Sequence, residues 1–149
     1  MYDWIVYLAG EIHSDWREQI IDAAEQAELS ILFSGPVTDH QASDDCGARI
    51  LGEEASAFWR DHKAAKINAI RTRKLIEEAD LVVVRFAEKY RQWNAAFEAG
   101  MAAALGKPLI ILHTADLTHA LKEVDAAAQA VAETPQQVIE ILKYINRDS

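Results

Sequence analysis

Cysteine is almost missing: Cys46 is the only one in 149 residues, so neither an internal disulfide nor a cysteine-based zinc site can form. Proline is sparse, and the three present, Pro36, Pro108 and Pro135, fall where segments break or begin. No apolar run approaches the roughly 18 residues that span a bilayer, and no secretory leader is visible. A soluble, cytoplasmic protein with no membrane partner is therefore expected. Basic charge is also short. Fifteen Lys and Arg face 24 Asp and Glu, a net charge of −9, which works against nonspecific nucleic-acid binding through counterion release. With half its residues hydrophobic and 26% charged, the chain is not of the disordered class. Residues 1–149 form one domain's worth of sequence, long enough to bury a core without a disulfide or metal staple.

The charge is unevenly placed. Residues 60–91 hold nine Lys and Arg against five acids, so that segment carries +4 and the remainder −13. Such a cluster suits an anionic small ligand such as a phosphate, or else ion pairs along a solvated helix face.

Short β-branched or aromatic runs alternate with helical patterns. Trp4–Leu8 reads as a buried strand ending at Gly10, and residues 30–34 as a second strand closed by Gly35-Pro36. Between them, Ser14 is placed to cap a helix over 14–28. Residues 37–61 are polar and irregular and read as a long loop, a candidate lid, with a helical piece available over 48–58. A helix over 62–78 follows, with Ala65, Ala69, Thr72, Ile76 and Ala79 on one stripe. Asp80 then introduces Leu81–Val84, a run that suits a parallel strand covered on both faces. Asn94 is placed to cap a helix through Leu105, ended by Gly106, before the strand 108–112. A helical turn at 117–123, a short strand at 129–132 and a closing helix over 134–146 complete the chain. This β-α alternation predicts a parallel sheet with helices on both faces, whose ligand crevice lies beyond the carboxyl ends of the strands. Residues 8–13, 34–40, 86–94 and 113–116 are thereby nominated.

Glu98 is the only charge in the apolar stretch Ala95–Leu105. It is either a helix-end carboxylate favoured by the dipole, a contribution of about 0.3–1 kcal/mol, or a group used as nucleophile or general acid/base at the crevice. The stretch is apolar nearly all round, which suggests burial against the sheet and another element or subunit. His13 and Glu11 follow strand one, and His13 either serves the site or hydrogen-bonds within the turn. Arg71, Arg73, Lys89 and Arg91 hold an anion or lie solvated on the surface. Asn94 caps, contacts a ligand, or does both, and Asn68 faces the crevice or solvent. Asp80 reads as structural. His40 with Asp39, Asp44 and Asp45 lacks a recognisable metal-ligand spacing and reads as a solvated loop, so no metal is expected. Trp59 and Trp93 can stack on a base, but core or interface packing accounts for them more simply. Cys46 carries no sign of reactivity.

Tyr7-Leu8-Ala9-Gly10, Ala79–Val84 and Ala96–Pro108 together resemble the nucleoside 2-deoxyribosyltransferase superfamily. Tyr7–Arg17 and Phe86–Asn94 resemble its YtoQ branch more closely. The resemblance implies a flavodoxin-like three-layer α/β sandwich with a parallel five-stranded sheet, a homo-oligomer (dimer or tetramer), and no cofactor. It further implies cleavage or transfer at the N-glycosidic bond of a nucleoside or nucleoside monophosphate. Glu98 falls on the family's nucleophile and Tyr7 on its strand-one tyrosine, with Gly10, His13, Asn68, Arg71, Gln92 and Asn94 as candidate substrate-binding residues. Where transferases of this superfamily carry acids, six residues before the nucleophile and eight before the strand aspartate, this chain has Gln92 and Thr72. Neither can protonate a leaving base as a carboxylic acid can. A nucleotide- or nucleotide-sugar-binding protein using the same crevice is the alternative.

Overall fold

The computed structural model describes residues 1–147. Its five strands are β1 (Trp4–Gly10), β2 (Ile31–Ser34), β3 (Leu81–Arg85), β4 (Leu109–Leu112) and β5 (Ala130–Ala132). They form one parallel sheet in the order β2-β1-β3-β4-β5. This is the flavodoxin-like arrangement, whose strand order reverses between β1 and β3 and opens a crevice there.

Strand alternation divides the core in two. Val6, Leu8, Leu81, Val83, Ile110 and Leu112 pack beneath α1 (Trp16–Gln26) and α6 (Pro135–Ile145). Tyr7, Ala9, Val82, Val84, Leu109 and Ile111 pack on the opposite face, against the end of α3 (Ala57–Glu78) and against α4 (Trp93–Ala104). The three-layer sandwich and five-stranded parallel sheet expected from the sequence are thus observed. Asp80 is structural: its backbone N–H donates to Ile5 O, and its Oδ2 accepts from Ile5 N, both at 2.8 Å, registering β3 on β1.

Several local expectations are corrected. The stretch 37–61 is not a long loop. It holds α2 (His40–Leu51) and the first turn of α3. Asp39 caps α2 by accepting from Ala42 N at 3.0 Å, and Gly52, at φ +101°, ends it. The polar composition hid a helix whose one small face packs on α3: a Cβ at Gly47 would stand 2.5 Å from Lys63 Cβ. Ser14 does not cap α1. Asp15 occupies that position without a side-chain cap bond, because Ser14 turns back to Glu11. Asn94 does not cap α4: Gln92 takes the cap position and the helix begins at Trp93. The single turn expected at 117–123 is instead a 3-10 turn at Ala115–Leu117 and a short helix α5 (Lys122–Ala126). Thr134 does cap α6, accepting from Gln137 N at 3.2 Å, with Pro135 in the first turn. Among the described residues no helix is long and apolar enough to cross a membrane.

Candidate functional site

A cavity of about 800 Å³ opens at the carboxyl ends of β1 and β3, between α3, α4 and the start of α2. Glu98 lines its floor, and Tyr7, fully buried, meets Glu98 from beneath. The strand period turns Tyr7 toward α4, and its phenol donates to Glu98 Oε1 at 3.3 Å. Burial raises the Tyr7 pKa far above its ordinary value, and the negative charge of Glu98 raises it further, so the phenol stays a donor. Burial also raises the Glu98 carboxyl above its ordinary range, against the lowering pull of the Tyr7 hydrogen bond and the Arg17 charge. Thr72, which lines the cavity, stands close enough to the Tyr7 phenol to work against the rise in its pKa. The stripe Ala65, Ala69 and Thr72 therefore lines the crevice instead of entering the core, where only Ile76 and Ala79 of that set are buried.

The turn after β1 is held by Glu11 together with Arg17 and Arg85, two residues that the sequence pattern gave no reason to single out. Arg17, 7% exposed, spends its guanidinium on three carbonyls. Nε donates to Leu8 O at 2.9 Å, Nη1 to Glu11 O at 2.6 Å and Nη2 to Gly10 O at 3.0 Å. Trp16 Nε1 also donates to Glu11 O, at 2.9 Å. Glu11 Oε2 accepts from His13 N at 2.7 Å and Ser14 N at 3.1 Å, while Oε1 takes Arg85 Nη1 at 2.8 Å and the Ser14 hydroxyl. Burial alone would raise the Glu11 pKa. The Ser14 hydroxyl, the His13 N–H and Arg85 outweigh it and hold the carboxyl below its ordinary value. Gly10 closes the strand at φ +110°, with room for no side chain, since a Cβ there would stand 2.1 Å from Arg85 O.

Gly10, His13, Asn68, Arg71, Gln92 and Asn94 all line this one cavity. Asn68 Nδ2 donates to Ser43 O at 3.1 Å and Ser43 Oγ at 3.2 Å, tying α3 to α2. Arg71 Nη1 donates to Gly35 O at 2.7 Å. Gln92 Oε1 accepts from Ala87 N at 2.9 Å and so fixes the β3–α4 loop. Asn94 stands at the second position of α4. At the mouth, the His13 ring centroid is 4.8 Å from that of Tyr90 and 6.2 Å from that of His40. Tyr90 and His40 fall within the nominated stretches 86–94 and 34–40, but neither was singled out: a lone aromatic carries no periodic signal, and His40 read as part of a solvated loop where the structure has the start of α2.

The basic segment is mostly spent elsewhere. Arg60 pairs with Asp45, Lys63 with Glu54, Arg73 with Glu77 and Lys74 with Glu78. Arg71 and Arg91 are its two cations that line the cavity. His40 and the acids near it are likewise individually engaged: Asp44 with His40 at 3.1 Å, Asp45 with Arg60, Asp39 in the cap. Trp59 and Trp93 are not core residues. Trp59 packs edge-on against Phe58 and His62 in the open, and Trp93 is 72% exposed. Helix α4 correspondingly buries only one side, Ala95, Ala99 and Ala102, and shows Trp93 and Phe97 to solvent.

Residues 7–146 match the family described as nucleoside 2-deoxyribosyltransferase YtoQ. A Bacillus subtilis (strain 168) protein described as uncharacterized protein YtoQ is 46% identical over 143 residues, covering 96% of this chain and 97% of its own. Among solved structures, the fold is shared with a 2-deoxyribosyltransferase of Bacillus psychrosaccharolyticus, at 18% identity and TM-score 0.54, covering 91% of this chain and 90% of that one. It is also shared with a conserved protein of Enterococcus faecalis V583, at 18% identity and TM-score 0.62, covering 95% and 98%. DNA processing protein A of Helicobacter pylori, at 17% identity and TM-score 0.55 over 98% of this chain and 83% of that one, shows the same fold and no more.

Proposed function

Since the chain belongs to the nucleoside 2-deoxyribosyltransferase YtoQ family, we propose that it is an enzyme that cleaves or transfers at the N-glycosidic bond of a nucleoside or nucleoside monophosphate, with Glu98 as the nucleophile. The observation that carries this reading is the Tyr7–Glu98 pair at the floor of the crevice. Tyr7 holds Oε1, which leaves Oε2 to attack the anomeric carbon. An oxocarbenium-like transition state leads to a glycosyl-Glu98 ester, and water or an acceptor base then takes the sugar with retained configuration. The partly buried carboxylate is poorly solvated, and desolvation raises the nucleophilicity of the form that attacks. Tyr7 and the Arg17 charge favour that ionised form. Gly10, His13, Asn68, Arg71, Gln92 and Asn94 surround the substrate in this reading. Arg71 and Arg91 are the groups available to a 5′-phosphate.

The chemistry calls for no cofactor or metal, and the partner is a small molecule. We also propose a homo-oligomer, dimer or tetramer, on the ground that Trp93 and Phe97 stand 72% and 71% exposed on one side of α4. A monomer by analytical ultracentrifugation at tens of micromolar would refute that assembly.

Incubation with nucleosides, nucleoside monophosphates and nucleotide sugars, followed by chromatography, tests the function. Free or exchanged base that disappears in Glu98→Ala supports it. Gln92, whose amide oxygen is held by Ala87 N–H, and Thr72, neither of them an acid, favour a second reading, binding without turnover. Thermal stabilisation by an intact nucleotide would select that reading.

A further inference from the structure

The crevice offers the departing heterocycle few free proton sources, and the one acid of its lining without a partner, Asp61, stands exposed on α3. Gln92 has its amide oxygen on Ala87 N–H, and neither an amide nor the Thr72 hydroxyl gives up a proton as a carboxylic acid does. Glu98 is occupied as the nucleophile. Glu11 is locked as a carboxylate by Ser14, the His13 N–H and Arg85, and Asp44 is paired with His40. Arginine does not give up a proton at all. Imidazole is the side chain that exchanges protons in the neutral range, and the crevice mouth carries two.

We propose that His13 is the catalytic acid that protonates the departing heterocycle, an assignment that rests on the glycosidic reading above. Its backbone is not free to wander. The His13 N–H donates to Glu11 Oε2 at 2.7 Å, and Glu11 is itself fixed to Arg85 of β3 at 2.8 Å. Its ring packs 4.8 Å from Tyr90 of the β3–α4 loop and 6.2 Å from His40. His40 is anchored to Asp44 on the next turn of α2 at 3.1 Å. Three separate segments thus converge on one exposed imidazole that faces the same cavity as Glu98. An exposed histidine with no fold-stabilising side-chain bond gains nothing from such a setting, whereas a proton donor needs to be positioned in this way.

The step balances. As a Glu98 oxygen bonds to the anomeric carbon, the C–N bond breaks and its electron pair goes to the heterocycle, which takes the proton of the His13 imidazolium. In the second half, neutral His13 takes a proton from the attacking water, whose oxygen bonds to the anomeric carbon. Glu98 leaves as a carboxylate and the imidazolium is restored.

The test compares two leaving groups with the full chain. One substrate is a mixture of the four common 2′-deoxynucleosides and their 5′-monophosphates. The other is 4-nitrophenyl 2-deoxy-β-ribofuranoside, with and without a 5′-phosphate, whose nitrophenolate departs without a proton. His13→Asn is expected to slow base release by about 10²–10⁴-fold, and to slow nitrophenolate release at least tenfold less than that. Its thermal midpoint should stay within about 2 °C of the parent, as for an exposed side chain. Equal losses on both substrates, or a loss of base release below tenfold, overturn the His13 assignment and leave the Glu98 reading standing. Absence of cleavage of either substrate by the parent chain overturns the glycosidic reading, and this assignment with it.

Discussion

The phenol of Tyr7 and the carboxylate of Glu98 meet at 3.3 Å although 91 positions separate them in the chain. Two ordinary periodicities bring them together: the strand period sends Tyr7 and Ala9 to the α3/α4 face of the sheet, and Ala95, Ala99 and Ala102 seat α4 on that face. Glu98, one position before Ala99, is left beside the strand ends. Burial raises the pKa of both groups, and their hydrogen bond works on each in the opposite sense, upward for the phenol and downward for the carboxyl.

On the proposed mechanism Glu98→Ala should lower base release by about a thousandfold or more, since it removes the nucleophile. Tyr7→Phe removes one hydrogen bond to a charged acceptor, a loss of about 1.5–3 kcal/mol or roughly 10–150-fold. Because Tyr7 holds the Glu98 pKa down, the acid limb of the rate profile should move to higher pH in Tyr7→Phe. Chromatographic rates from pH 4 to 8 measure both effects. An unmoved limb would mean that the limb belongs to another group.

The same burial predicts a sign for stability. The folded-state pKa of Glu98 lies above its ordinary value, so the folded chain binds more protons than the unfolded chain between those two values. Stability contributed by this site is therefore greatest below the ordinary carboxylate range and falls as pH rises through the raised value. Glu98→Gln has no charge to bury. Denaturation midpoints of Glu98→Gln minus parent should increase from about pH 4 to pH 7, after which the difference should be flat.

Glu11 should behave the opposite way, as its folded-state pKa is lowered. The stability it supplies is complete above the ordinary carboxylate range and is lost as pH falls through the lowered value. Urea midpoints of the parent and of Glu11→Gln should accordingly differ most near pH 7 and converge below about pH 4. A constant gap across that range would show that the bonds to Ser14, His13 and Arg85 do not depend on the charge.

Much of the fold and the two residues at the centre of the candidate site were legible in the sequence; the supports of that site were not. Leu81–Val84, four consecutive buried residues, announce a strand covered on both faces, and Glu98 stands out as the one charge in an apolar helix. Helix α2 was missed because a helix that packs through glycine and alanine, Gly47 and Ala48, leaves no apolar stripe to detect. Arg17 was missed for a different reason. Its place follows α1 as ordinary helix polarity would, and only the fold reveals that its guanidinium turns inward to carbonyls of β1 and the following turn. Composition reports that the basic residues between 60 and 91 are numerous, but their pairing with Asp45, Glu54, Glu77 and Glu78 is a matter of geometry.

Arg17→Lys should destabilise the chain by about 2–4 kcal/mol, since one ammonium cannot span three carbonyls and leaves buried acceptors unpaired. That corresponds to a fall in thermal midpoint of roughly 5–15 °C for a domain of this size. A drop of less than about 2 °C would show that water replaces the guanidinium at no cost.

Two helical glycines should respond to alanine with opposite signs, and the contrast tests whether the α2–α3 contact shapes the crevice. At Gly100 nothing lies within 4 Å of an added Cβ, so Gly100→Ala should gain the helix-propensity difference of about 0.5–1 kcal/mol and keep base release unchanged. At Gly47 the added carbon would stand 2.5 Å from Lys63 Cβ and 2.6 Å from Ala64 N. The backbone of α3 cannot yield as a flexible side chain would, so α2 must move outward, at a cost of about 1–3 kcal/mol that exceeds the propensity gain. Ser43, held by Asn68 at 3.1 Å, and His40, 6.2 Å from His13, ride on α2. Their displacement would loosen the mouth of the crevice while leaving Tyr7 and Glu98 in place. Gly47→Ala should therefore raise KM more than it lowers kcat, with a lower thermal midpoint. A fall in kcat with KM unchanged would instead place the influence of α2 on the reacting groups, through His40 and His13 or at the Glu98 floor.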